Sequence, residues 1–185
     1  MAAAKYQKPP QAPPLFTATA TSLVEDAKII CEKSRSVIDK IVKDVTPETA
    51  TFANVILPMA EDEDLSALRT RVIGFYQAVS GDSKLRDASS KAEEIMDEFG
   101  IEAAMREDIF QLVDAAFKKG GKLDTESQRF LEKERKGYIQ YGLGIPAGKD
   151  RDRFKDIKKR LSQIQIEFQK NLNEENGEFG SRQRN

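Results

Sequence analysis

The side chains of this sequence equipped to do chemistry fall into five groups. They are the thiol of Cys31, the acidic run Glu61-Asp62-Glu63-Asp64, the pair Glu93-Glu94, the glycines of Gly142-Leu143-Gly144, and a basic cluster of Arg151, Arg153, Lys155, Lys158, Lys159 and Arg160. Neighbouring carboxylates can hold a hard cation weakly, glycine turns can cradle phosphate, and runs of lysine and arginine can follow a nucleic-acid backbone. Each group also has a plainer structural role. The carboxylates and the basic cluster read as solvated helix faces, the latter containing Asp156 and Arg160 at ordinary helix-pair spacing. Gly142-Leu143-Gly144 lacks a third glycine, follows no predicted strand and precedes Pro146, so it reads as a helix stop. Cys31 lies among the apolar positions of a predicted helix and is the one cysteine in the sequence, which makes it a buried structural thiol in a reducing compartment.

What is missing decides more. There is no histidine, so the commonest general base, the usual zinc ligand and every imidazole-dependent triad are absent. With one cysteine besides, a zinc site made by this sequence has no adequate ligand set, and the Glu-x-x-His pairs of a di-iron carboxylate bundle are missing too. The expectation is therefore no catalytic residue, no cofactor-binding residue and no metal ligand.

The elements that carry these groups read as helices throughout. From Arg151 to Glu175 a charged run is crossed by one apolar stripe, Phe154, Ile157, Leu161, Ile164, Phe168 and Leu172, at steps of three and four. A helix of that length spans roughly 35–40 Å, and its stripe needs burial, so it is expected to be the spine along which the earlier helices pack. Lone Ile166, on the opposite side, hints at a second contact. Hydrophobic content of 39% and charged content of 33% fit amphipathic helices better than a buried parallel sheet. The fold class expected is all-α, an antiparallel bundle-like array of long amphipathic helices.

Thirty basic residues against thirty-one acidic ones leave no field to attract nucleic acid or an anionic membrane, so neither is an expected partner. The N-terminus has neither the apolar core of a signal peptide nor an Arg-rich presequence pattern, and no run of about twenty apolar residues occurs. A cytoplasmic protein is expected.

In chain order, residues 1–16 contain Pro9, Pro10, Pro13 and Pro14 and are expected to be a disordered, extended arm. A first helix is expected from a cap at Ser22 to Thr46, and a second from Thr46-Pro47. The apolar phase of that second segment changes between Met59 and Leu65, so a break is expected at the acidic run, with Leu65, Leu68, Val72, Tyr76 and Val79 forming the next buried face. From Lys84 one element is expected to run on through Phe110, Val113 and Phe117, bent at Gly100 and ended by Gly120-Gly121. Thr125 to Gln128 matches a capping box for the helix before Gly142. Repeats at a fixed period are not evident.

Three stretches in this order carry a resemblance: ASSKAEEIMDEF (88–99) running into MREDIFQLV (105–113), then SQRFLEKERKGYIQYGLGIP (127–146), then IKKRLSQIQIEFQKNLNEEN (157–176). Together they resemble the N-terminal helical region of the thimet oligopeptidase, neurolysin and saccharolysin family of zinc metallopeptidases, most closely a fungal cytosolic member, over roughly Leu15 to Gly177. The resemblance implies a mostly helical peptidase that cuts short peptides in a deep channel with zinc-activated water. In that family the zinc sits in a His-Glu-x-x-His motif far downstream, with a further glutamate ligand. No such role carries over to any residue here. The expected organisation is an arm (1–16), the helical N-terminal domain (17–177), and a tail, EFGSRQRN (178–185), that departs from the family: a truncated gene product, an unspliced reading frame or a cloning scar. On this reading the chain is a non-catalytic part of the channel wall, its partners being the missing catalytic domain and, in the whole enzyme, short peptides. The alternative is a stand-alone helical protein–protein interaction module that offers its long apolar seam to a partner helix.

Overall fold

A computed structural model describes residues 14–175. The expected arm lies almost wholly outside the described residues, and the tail lies entirely outside them. Among the described residues there is no strand; there are six α-helices, α1 (Ala20–Asp44), α2 (Leu57–Val79), α3 (Ser83–Ala104), α4 (Glu107–Lys119), α5 (Thr125–Tyr138) and α6 (Lys149–Glu174). Single π-helical turns precede α2 (Phe52–Ile56) and follow α5 (Ile139–Leu143). The all-α expectation is borne out.

The organising helix is α1 and not α6. Its Ile38 and Ile41 enter a large core with Ala50, Val55 and Ile56, with Ile109, Leu112, Val113 and Ala116 of α4, and with Leu131 and Tyr138 of α5. Nearer its start, Leu23, Ala27 and Ile30 enter a smaller core with Ile73 and Tyr76 of α2 and Ala92 of α3. Both cores therefore lie along one helix. The expected seam of α6 is not buried against these helices: Ile157, Leu161, Ile164, Phe168 and Leu172 are 44–62% exposed. Ile166 is instead the buried residue of α6. The reason lies in α3, which draws the other face of α6 onto itself with polar contacts: Lys159 to Glu102 (2.9 Å), Lys170 to Asp87 (2.6 Å) and Arg86 to Glu174 (2.5 Å).

Helix boundaries moved where caps and a π turn outweighed periodicity. Thr19, rather than Ser22, caps α1, because the two hydroxyls satisfy each other's backbone donors: Ser22 N–H donates to Thr19 Oγ1 (3.1 Å) and Thr19 N–H to Ser22 Oγ (2.9 Å). Thr46-Pro47 opens a turn closed by Ala50 N–H on the Thr46 carbonyl (2.9 Å), and Thr51 caps the following helix with Asn54. There is no break at Glu61–Asp64. The change of phase is absorbed upstream, in the wider π turn before Pro58, which sits in the first turn of α2 where its missing N–H costs little. The rotation that results leaves Leu65 (70% exposed) and Leu68 (41%) facing outward and buries Ile73 and Tyr76.

The element expected from Lys84 to Phe117 is two helices, parted at Met105–Arg106. Gly100 lies inside α3 and does not end it. What holds the break is Arg106, whose guanidinium pairs with Asp39 on α1 and with Asp108 in the first turn of α4 (2.6 Å); Glu107 and Asp108 suit a helix start electrostatically. Asp124, one residue before the expected Thr125, caps α5 by accepting from Glu126 and Ser127 N–H (both 2.9 Å). The stops at Gly120 and Gly142 stand; both glycines have positive φ, 62° and 117°.

Candidate functional site

Between α1, α2, α3, α5 and α6 lies a cleft of about 1230 Å³. α6 approaches α2 at its far end, where Asn173 donates to the Gln77 carbonyl (3.4 Å). Along the cleft α6 supplies Lys158, Leu161, Ser162 and Gln165 as one lip, with Phe75 of α2 also on the wall.

Three of the carboxylates on that wall sit in different surroundings. Asp62, read from the sequence as solvated, is buried: unbroken α2 turns it toward α1, where Ser34 Oγ donates to Oδ2. Its Oδ1 receives no hydrogen bond, with the Lys33 ammonium 3.5 Å away. At that separation the attraction is real but lacks the geometry of a hydrogen bond. Glu134 of α5 faces the same cleft, and burial, reinforced by the Glu63 carboxylate, pushes its pKa above the ordinary carboxylate value. Glu93 accepts from the Gln77 amide (2.5 Å), and burial raises it also, against that hydrogen bond. Glu94, its neighbour in sequence, turns away to pair with Lys91 (2.5 Å). The two are not a joint site.

A raised carboxyl pKa has a definite sign. Above its unfolded pKa, Glu134 binds more proton in the native state than in the unfolded one, so the native state loses stability as pH rises through the folded pKa. Glu134→Gln is expected to raise the urea midpoint at pH 7, and that gain should vanish as the pH falls below the unfolded glutamate value. An equal gain at both pH values would show that packing, and not charge burial, is responsible.

The other sequence candidates find structural employment. The Cys31 thiol is buried, and burial lifts its pKa, so it stays protonated and unreactive at neutral pH. In the basic cluster, Arg151 donates to the Ile145 carbonyl (2.8 Å) and to Glu107 (3.0 Å), Lys159 is bound to α3, and Lys158 lies over the Tyr141 ring (4.7 Å). Arg151, Lys158 and Lys159 tie α6 to the fold, whereas Arg153 and Arg160 stand on its exposed face as the sequence reading expected. Gly142 allows the close approach of Phe154, where a Cβ would meet the ring at 2.9 Å.

Zinc, which the sequence resemblance implies for the whole enzyme, does not fit the residues present. The sequence has no imidazole, and among the described residues no group of three or more cysteine, aspartate or glutamate side chains is placed to hold a metal. The cleft offers apolar walls and carboxylates. Among the described residues no helix is long and apolar enough to cross a membrane.

Comparison with known proteins points one way. No family model matches the chain. It is 36% identical over 170 residues to oligopeptidase PhomG' of Diaporthe leptostromiformis, an alignment spanning 89% of this chain and 14% of the relative. Saccharolysin of Saccharomyces cerevisiae is 31% identical over 170 residues, with 90% and 23% of the two chains covered. The probable thimet oligopeptidase of Arabidopsis thaliana is 26% identical over 157 residues, with 85% and 22% covered. The resemblance to thimet-type oligopeptidases, with fungal relatives prominent, is thus borne out. The chain spans less than a quarter of the length of each of these relatives.

Proposed function

We propose, from the premise that this chain matches a small part of the thimet-type oligopeptidases, that it is the non-catalytic N-terminal helical portion of such a zinc peptidase. In the complete enzyme residues 17–177 would form part of the wall of the peptide channel, and the metal and its chemistry would belong to the remaining polypeptide. The observation that carries this is the conjunction of a match along nearly the whole chain with the absence of histidine. The open cleft with its carboxylates supports the wall role, since a channel that takes short peptides must present both apolar surface and polar groups to them. A cytoplasmic location, with short peptides reaching the site from solution, goes with this reading.

By itself the chain is expected to be inactive. Purified and incubated with an internally quenched oligopeptide, it should show no cleavage that a chelator abolishes; added to a saccharolysin polypeptide that lacks the corresponding segment, it should raise that polypeptide's turnover. Chelator-sensitive cleavage by the chain alone would overturn the proposal, as would failure to associate with the rest of the enzyme. A second reading, a stand-alone helical interaction module, draws its support from the uncovered face of α6.

A further inference from the structure

α6 packs on the fold through its polar side. Toward α3 it presents Lys159, Ser162 and Lys170, paired with Glu102, Asp97 and Asp87, together with buried Ile166; toward α2 it presents Asn173. On the opposite side Ile157, Leu161, Ile164, Phe168 and Leu172 succeed one another at helical steps, between 44% and 62% exposed. A helix whose apolar stripe is turned away from the helices it packs on needs a second partner along that stripe. Beside it stand Arg153 and Arg160 toward the start and Glu167 toward the end, exposed and without an ion-pair partner among the described residues.

Resting on the oligopeptidase reading above, we propose that this stripe is the surface on which the remaining polypeptide of the enzyme packs, so that α6 is the boundary helix between the two parts. More than three-quarters of each matched relative lies beyond the segment that this chain matches. In those relatives the rest is covalently joined to the matched segment, so it meets the stripe at a high effective concentration, which neither a second copy nor a separate partner has. Peptide substrate is a poorer occupant, because of the five stripe residues Leu161 alone lines the cleft. A segment that fits the stripe has apolar side chains along it, carboxylates where it passes Arg153 and Arg160, and a basic residue where it passes Glu167.

Hydroxyl-radical labelling read by mass spectrometry, applied to the 185-residue chain and to intact saccharolysin, tests this. In the chain Ile157, Ile164 and Phe168 should be labelled freely; at the aligned positions of saccharolysin, corrected for side-chain type, labelling should fall by about tenfold or more. Phe168→Glu should leave the thermal melting of the chain unchanged, while glutamate at the aligned position should lower the melting temperature of saccharolysin by several degrees. Equal labelling in chain and enzyme would overturn the inference. So would protection that appears in the enzyme only when a peptide inhibitor is bound, which would place the stripe in the channel, or protection already present in the isolated chain, which would give it to a second copy. None of these outcomes involves cleavage, so the inference can fail while the oligopeptidase reading stands; that reading fails on chelator-sensitive cleavage by the chain alone.

Discussion

Gly142→Ala is expected to lower the stability of the fold by roughly 2–4 kcal/mol, seen as a lower urea midpoint with an unchanged slope. Two penalties combine at this residue. Its φ of 117° lies where L-residues are strained, and a Cβ would sit 2.9 Å and 3.1 Å from two carbons of the Phe154 ring and 3.2 Å from the Met105 methyl. Lys158 lies over the same ring, 5.9 Å from its centroid. Gly120→Ala separates the two penalties. Gly120 also has positive φ, 62°, but nothing lies within 4 Å of its Cβ position, and it should cost only the backbone part, about 1–2 kcal/mol. Equal losses at the two sites would mean that the approach of Phe154 to Gly142 contributes nothing.

Ile109→Ala should cost about 2–5 kcal/mol. Ile109 is fully buried and belongs to the core that joins α1, α4, α5 and the π turn before α2. Four segments meet there, so no one of them can relax into the space without disturbing the others. Leu161→Ala is the counterpart. A leucine of similar size, half-exposed on α6, it should lower the stability by less than about 1 kcal/mol, read from the urea midpoint and slope. Were Leu161→Ala as costly as Ile109→Ala, α6 would be the buried beam after all.

That contrast also shows what was legible in the sequence. Helix identity, the glycine stops and the positions of most turns follow from residues acting within a few positions of one another, and these stood. An apolar stripe states that a helix needs a partner without saying which one. On α6 the stripe from Ile157 to Leu172 was the stronger signal, yet α3 took the other face through Lys159, Lys170 and Ile166. No rule of periodicity ranks several ion pairs and one isoleucine above five apolar residues. The break at Arg106 escaped for a related reason: it has neither glycine nor proline, and depends on Asp39, distant in sequence. The cleft was illegible because its carboxylates come from separate helices. Glu63 and Glu134 influence each other only once α2 and α5 are packed, and the burial of Asp62 depended on a π turn that displaced the phase of α2.

The division of the interior into two cores sharing α1 has a consequence for synthesis on the ribosome. The smaller core draws on residues between Ala18 and Met96, whereas the larger one needs Leu143 before it is complete. As the polypeptide emerges, the first can close while the second still lacks half its walls, leaving Ile38 and Ile41 bare at the end of a finished helix. Until α4 and α5 arrive, that end of the nascent chain is a ready target for chaperones and for wrong partners.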